Sequence, residues 1–483
     1  MGRIFQCNTM PFGLKVAPFL WTKVFPPVVQ ALRREGFRVI SYVNDFGGAP
    51  PTRAPTASTA GEALEGWERV RELFSQLGVT LHPTKGVWDG THCLPLLGFL
   101  VDTRRRLFLL QPTRATKIMG MAGRLLSSAK THLRWVRLSA LRSFCGMAVS
   151  THLAVTSARL HLRSLYTAMR DHLDRRSNRE QLGRQGMQDL QWWQVLTQHA
   201  ELGRALWPRA TDLTLTTDAS GLAWGATGDG LVPARGFHRP SRRRLHINLL
   251  ELGAVRLGLL SFVDVLRQPD TVVRLRTDSL VTLHVINTGS SRSIALMEEM
   301  RRLHAVCLSL GVTLRAEYIP SALNMWADRL SRTRDSTDWT LRCDAFLKFE
   351  RLYGPHTVDV FATAETKRCG RFFSRFASPG AAGVYAMQQS WRGENSWANP
   401  PFNLVGPVIQ KLIHQQAAVT LVAPHWPAQP WWPLAVSACS AVHYLPPKDG
   451  VFVHGRREGL AQRPWWGTVV FRFEGGCATL SPV

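Results

Sequence analysis

Four acids stand where a sequence of this kind would build a site. Asp218 closes the alternating run Leu213-Thr214-Leu215-Thr216-Thr217, and Asp278 follows Val272-Val273-Arg274-Leu275-Arg276-Thr277. Glu251 sits in Ile247-Asn248-Leu249-Leu250-Glu251-Leu252, and Asp328 comes four residues after Asn324. Ligands collect at the carboxyl ends of strands in open α/β sheets. The segment around Glu251 is apolar nearly all round, so a carboxylate there is costly without a partner and a cation is expected beside it. Gathered carboxylates repel unless metal ions neutralise them, and oxygen ligands select Mg²⁺ or Mn²⁺. Two such ions about 4 Å apart activate a water and stabilise the leaving oxygen of a phosphodiester. Any one of these acids alone reads more simply as a cap, a turn residue or half of an ion pair; four in order do not.

The elements that must hold them follow from pattern. At 483 residues the chain has room for two to four domains of roughly 150 residues each. Apolar residues at 45% and charged residues at 19% are ordinary for globular chains and exclude collagen, coiled-coil and low-complexity classes. The formal charge of +25 makes a polyanion such as nucleic acid the first partner to consider. Eight scattered cysteines without a C-x-x-C pair predict reduced thiols rather than a disulfide scaffold or a zinc module. No apolar run approaches the ~18 residues of a membrane span, so no membrane partner is expected.

Residues 1–100 read as mixed α/β. An amphipathic stretch over 16–34 leads into a strand over 37–43, the turn pair Asn44-Asp45, an exposed Gly/Pro/Ala/Thr loop over 47–61 and a helix over 62–77. From Arg104 to Arg184 the pattern is helical, with seventeen Lys or Arg against Asp171, Asp174 and Glu180. Arg124, Arg134, Arg137 and Arg142 are the cations expected to meet phosphates, giving salt-dependent, sequence-blind affinity. Trp135, Trp192 and Trp193 either stack on bases or, more commonly at this spacing, fill a core. Strands then alternate with helices from residue 213 to about 335: helices over 247–266 and 293–310, strands over 271–277 and 312–319, and a short helix from Asn324. Residues 336–483 hold another α/β-like pattern with the loop Asn399-Pro400-Pro401-Phe402.

Thr216 to Ala226 (TTDASGLAWGA), INLLEL, LRTDS (Leu275 to Ser279) and YIPSALNMWADRLSR (Tyr318 to Arg332) resemble, in order and spacing, the type 1 ribonuclease H domain of retroelement polyproteins. The resemblance implies that Asp218, Glu251, Asp278 and Asp328 are metal-binding carboxylates acting on the RNA strand of an RNA:DNA hybrid. The His often found before the last acid is lacking in Tyr318 to Leu323. Asn324 matches a family position, though as a helix N-cap it needs no catalytic explanation.

Phe5 to Pro18 (FQCNTMPFGLKVAP) resembles a template-facing motif of reverse transcriptases, and Tyr42-Val43-Asn44-Asp45 resembles their Y-x-D-D hairpin. Leu81 to Gly86, with Lys85, and Leu96-Leu97-Gly98-Phe99 resemble later palm motifs. The remnant site would be Tyr42, Asn44, Asp45 and Lys85. Asn44 replaces the first hairpin Asp, a weaker Mg²⁺ ligand, and the chain begins after the position of the upstream catalytic Asp. The chain is therefore expected not to extend primers by itself, with the upstream polyprotein part as a candidate partner.

An Asn-Pro-Pro-aromatic loop resembles that of adenine amino-methyltransferases. There the Asn and the first Pro carbonyl accept from the exocyclic amine while the ring stacks on the flipped base. Asn399, Pro400, Pro401 and Phe402 would take these roles. S-adenosylmethionine would be the cofactor, but no Gly-rich loop follows Val358 to Phe361 and Asp359 is the one acid suggestive of it. The segment is expected to keep the fold and DNA contact without methyl transfer. All three regions together resemble DIRS-type retrotransposons.

The reading is an α/β and α+β multidomain chain: a partial reverse-transcriptase palm (1–103), a basic helical thumb or connection (104–205), a ribonuclease H-like α/β domain (206–335) and a methyltransferase-like α/β domain (336–483). Its expected activity is metal-dependent hydrolysis of RNA in RNA:DNA hybrids, with RNA and DNA as further partners. Two alternatives stand beside it: a decayed element that only binds nucleic acid, and a DNA adenine methyltransferase.

Overall fold

The computed structural model describes residues 15–42, 45–49, 60–82, 86–88, 91–171, 178–198, 203–207, 209–268, 270–333, 339–447, 451–454 and 466–476. The chain divides into two compact units, Met1–Arg209 and Ala210–Val483.

In the first unit the amphipathic stretch becomes two helices, Ala17–Val24 and Pro26–Arg34. Pro26 and Pro27 lack amide protons, so they restart a helix rather than continue one. The hairpin Arg38–Tyr42 and Asp45–Ala49 follows, with Tyr42 in register opposite Asp45. Its return strand occupies the start of the stretch expected as a loop over 47–61. Glycine permits this pairing: a Cβ on Gly48 would lie 2.4 Å from the Arg38 carbonyl oxygen. Phe25, Leu32, Phe37, Val39, Val70 and Phe74 form the small core beneath. Asn44, Lys85 and most of the Phe5 to Pro18 motif lie outside the described residues.

The basic segment is not helical throughout. Leu107–Leu110 joins a four-stranded antiparallel sheet, and Trp135–Arg137 pairs with Arg179–Gln181. Between them run helices Pro112–Thr131, Leu138–Val149 and Arg163–Asp171, with Arg184–Gln194 after the last pairing. Periodicity missed these strands because three- and four-residue strands are too short to show alternation. Trp193 is fully buried against Phe144, and Trp192 stacks on His161 at 4.0 Å between centroids. Arg124, Arg134, Arg137 and Arg142 are all exposed.

In the second unit a five-stranded sheet runs in the order Ala234–Phe237, Ala223–Gly228, Leu213–Ala219, Val272–Thr277, Thr313–Tyr318. The first three strands are antiparallel and the last three parallel. Helix Ile247–Ser261 buries Leu250, Leu252, Val255 and Leu259. The expected helix over 247–266 breaks at Phe262, and Val263–Leu266 forms a separate turn. Ser293 caps Ile294–Leu310 by accepting from the Leu296 amide, and Gly311 ends it at φ 65°, the left-handed conformation glycine adopts without strain. Beyond a two-stranded pairing of Trp339–Leu341 with Phe452–His454, the carboxy-terminal part builds a seven-stranded sheet ordered Gly383–Val384, Arg371–Ser374, Val358–Asp359, Asn395–Ala398, Ala418–Pro424, Thr468–Phe473, Ala441–Leu445. Its first five strands are parallel. Among the described residues no helix is long and apolar enough to cross a membrane.

Candidate functional site

Three of the four acids converge. Asp218, Glu251 and Asp278 each offer an oxygen within 4.8 Å of the other two. Asp218 lies on the central strand, Asp278 just beyond the neighbouring parallel strand, and Glu251 on the helix packed over them. Local chemistry fixes each position. Ser279 accepts from the Thr282 amide and so starts helix Leu280–Thr288 at once after Asp278, which pins the strand-to-helix turn carrying that carboxylate. Gly225 lies in register opposite Asp218; a Cβ there would meet Leu330 at 2.5 Å and the Ala327 carbonyl at 2.8 Å. Its absence lets helix Met325–Arg332 approach closely enough for Ser331 to donate to Asp218 Oδ2.

Asn324 precedes that helix without capping it through its side chain. Its Nδ2 donates instead to the Thr217 carbonyl and to Asp278 Oδ1, both at 3.2 Å. The N-cap explanation thus gives way to one in which Asn324 ties the two strand ends together. Asp328 lies on the same helix but accepts from Arg332 Nε at 2.5 Å and is 40% exposed, outside the converging three.

The cation expected beside Glu251 is not in contact with it. Among the described residues no hydrogen bond or ion pair joins Glu251 to Lys or Arg; one oxygen accepts from the Ala219 amide and Oε2 is buried without a partner. Arg332, which acts on it favourably from a distance, is engaged by Asp328. Burial, then the charges of Asp218 and Asp278, push the Glu251 carboxyl up to about 8. Burial raises Asp218 to about 6, opposed by the Ser331 hydrogen bond and reinforced by Asp328 and Asp278. A buried carboxylate oxygen with no donor, facing two further acids, fits a divalent cation better than it fits a salt bridge.

Ser331 and Gly225 were missed by the sequence reading, although both lie inside the segments quoted for it. Ser331 was detectable at i+3 from Asp328, on one face of the short helix.

A second candidate site lies in the seven-stranded sheet. A cavity of about 760 Å³ opens beyond Val358–Asp359, Arg371–Ser374 and Asn395–Ala398, lined by Asn399, Pro400, Pro401 and Phe402 among others. All four loop residues predicted from sequence therefore come together on one wall. Phe402 is held edge-on by Trp426 and Trp466, with centroids at 5.2 and 5.5 Å. Asp359 does not present a free carboxylate: it accepts from the Phe361 and Arg368 amides, tying down the loop between them, and burial raises it to about 6.

Comparison with known proteins yields one family match and several structural likenesses. A family described as DNA N-6-adenine-methyltransferase (Dam) matches residues 330–473. The foamy viral protease-reverse transcriptase in complex with RNA/DNA hybrid shares 16% identity over 68% of this chain and 40% of its own, at a TM-score of 0.32. The same viral protein with dsDNA shares 16% over 64% and 60%, at 0.33. RNase H1 from the halophilic archaeon Halobacterium salinarum NRC-1 shares 17% over 24% of this chain and 92% of its own, at 0.21. The chain thus spans 40% to 60% of the viral protein it matches. No curated protein matches. The chain is a mixed α/β multidomain protein with several sheets, and its carboxy-terminal part matches the Dam methyltransferase domain.

Proposed function

We propose that the second unit is a metal-dependent nuclease that hydrolyses the RNA strand of RNA:DNA hybrids. The observation that carries this is the convergence of Asp218, Glu251 and Asp278 within 4.8 Å. These three would hold Mg²⁺ or Mn²⁺, which supplies an activated water and neutralises the charge developing on the leaving oxygen. The chain's own residues do the rest. Ser331 orients Asp218, and Asn324 orients Asp278 relative to the Thr217 backbone. Asp328, paired with Arg332 and outside the three yet close enough to act on Asp218 by its charge, would complete a second ion's site. The exposed Arg124, Arg134, Arg137 and Arg142 of the first unit supply phosphate contacts. With the sequence resemblances, this reading places the chain in a retroelement polyprotein of the DIRS type. Cleavage of a labelled RNA:DNA hybrid in Mg²⁺ or Mn²⁺, retained by the parent and lost in Asp278→Asn, is the expected result. Equal cleavage by both proteins, or none by either, refutes it; none by either with salt-sensitive binding retained leaves the decayed-element alternative.

A specific observation favours a second activity, adenine methylation, over the expectation of an inert tail. The cavity walled by Asn399–Phe402 lies in the segment that matches the Dam family. Its size suits a ligand of cofactor dimensions. Asn399 and the Pro400 carbonyl would hold the exocyclic amine and Phe402 would stack on the ring, with the methyl group to come from S-adenosylmethionine when bound. Labelled methyl transfer to adenine in DNA, abolished by Asn399→Ala, tests it.

A further inference from the structure

The cavity of the seven-stranded sheet is not closed by that sheet alone. Arg235, Gly236 and Phe237, on the edge strand of the carboxylate-bearing sheet, line it together with Phe361, Phe376 and Phe402. The junction is built from backbone: the Arg235 amide donates to the Ala377 carbonyl and the Ala377 amide to the Pro233 carbonyl, both at 3.0 Å, forming a parallel bridge from Ala234 to Ala377. Arg235 adds a side-chain clasp. Its guanidinium lies 4.7 Å from the centroid of Phe237, on the edge strand, and 5.7 Å from that of Phe376, in the loop after strand Arg371–Ser374, and donates to the Thr333 carbonyl. Arg235 is 8% exposed, so this arrangement is packed rather than draped over the surface. Residues 233–237 fall outside 330–473, so this wall is no part of the matched family segment.

We propose that this is a composite site: the edge strand of the carboxylate-bearing sheet supplies Phe237 as a stacking surface, with Arg235 as the residue that positions it, for an adenine-bearing ligand of the methyltransferase-like cavity. The inference rests on the adenine-methylation reading. Its chemistry follows from the lining, which combines several aromatic rings with Arg235 and Arg375 and no Asp or Glu. Flat, electron-rich rings and cations without acids select a planar heterocycle carrying an anionic group. Adenine reaches such a cavity either in the cofactor or as a base of DNA, and both carry anionic groups: a carboxylate in one, phosphates in the other.

The test uses the full chain and two probes: S-adenosylhomocysteine, titrated by calorimetry, and a single-stranded oligonucleotide with one adenine among thymines, followed by anisotropy. Phe237→Leu and Arg235→Gln are compared with the parent, and circular dichroism and melting confirm folding. Arg235→Lys, which keeps the cation, reports on positioning. Loss of one stacked ring weakens binding by roughly tenfold. The expected result is such a loss for Phe237→Leu in one arm, which names the source of the adenine, with Arg235→Lys recovering part of what Arg235→Gln loses. Parent-like binding of both probes by folded Phe237→Leu overturns the composite wall and leaves the methylation reading standing. Failure of the parent itself to bind either probe overturns both.

Discussion

Replacing Glu251 by Gln should stabilise the metal-free protein while destroying its response to metal. Glu251 is 8% exposed, its Oε2 has no partner, and Asp218 and Asp278 face it. In the unfolded chain its carboxyl ionises near 4.5; in the folded chain it holds its proton to about 8. The folded state therefore binds more protons across that window, so stability falls as pH rises from about 4.5 to about 8. At pH 7 the difference amounts to about 3 kcal/mol. A glutamine keeps the acceptor for the Ala219 amide and offers an amide proton where the lone oxygen stood. In EDTA at pH 8 Glu251→Gln should melt about 5 to 10 °C above the parent, and at pH 4.5 the two should coincide. Adding Mn²⁺ at pH 8 should raise the parent's melting temperature by mass action and leave the variant nearly unmoved. Scanning calorimetry across this grid of pH and metal decides the matter. A variant less stable than the parent in EDTA at pH 8, or equal Mn²⁺ stabilisation of both, refutes the inference that this carboxylate awaits a cation.

Other consequences follow from the same geometry. Ser331→Ala removes the hydrogen bond that lowers the Asp218 carboxyl, so the acidic limb of the pH–rate profile for hybrid cleavage should move up by about one pH unit. Gly225→Ala forces helix Met325–Arg332 off its strand; denaturant unfolding should show a loss of about 2 kcal/mol, with cleavage reduced although every acid is intact. Changing Arg124, Arg134, Arg137 and Arg142 together to Ala should make the slope of log K against log salt less negative by about 3 to 4 for an RNA:DNA hybrid, about 0.9 per lost phosphate contact; an unchanged slope places the contacts elsewhere.

Much of this was legible along the chain because local pattern carries it. Alternation over Leu213–Ala219 and a run of apolar residues through Ile247–Ser261 mark a strand and a buried helix whatever surrounds them, and an acid near the end of the one and inside the other is then conspicuous. The Asn-Pro-Pro-Phe loop was visible because Pro-Pro restricts its own backbone. What pattern cannot carry is the meeting of residues far apart in sequence. Asn324 was read as a cap, since its neighbours permit one; that its amide reaches Asp278 and Thr217 follows from the parallel pairing of strands more than a hundred residues of chain apart from it at one end. Glu251 was expected to need a cation from its own surroundings, yet the tertiary fold gave it two more acids.

The sequence by itself determined which residues are chemically able to act, because side-chain type and period are properties of the chain. Only the tertiary structure decided which of them meet: three acids converge while Asp328 pairs with Arg332, and an edge strand of one sheet closes the cavity of another. The physical reason is that burial and neighbouring charge set a carboxylate's state and a cavity's walls, and both are fixed by packing between distant segments.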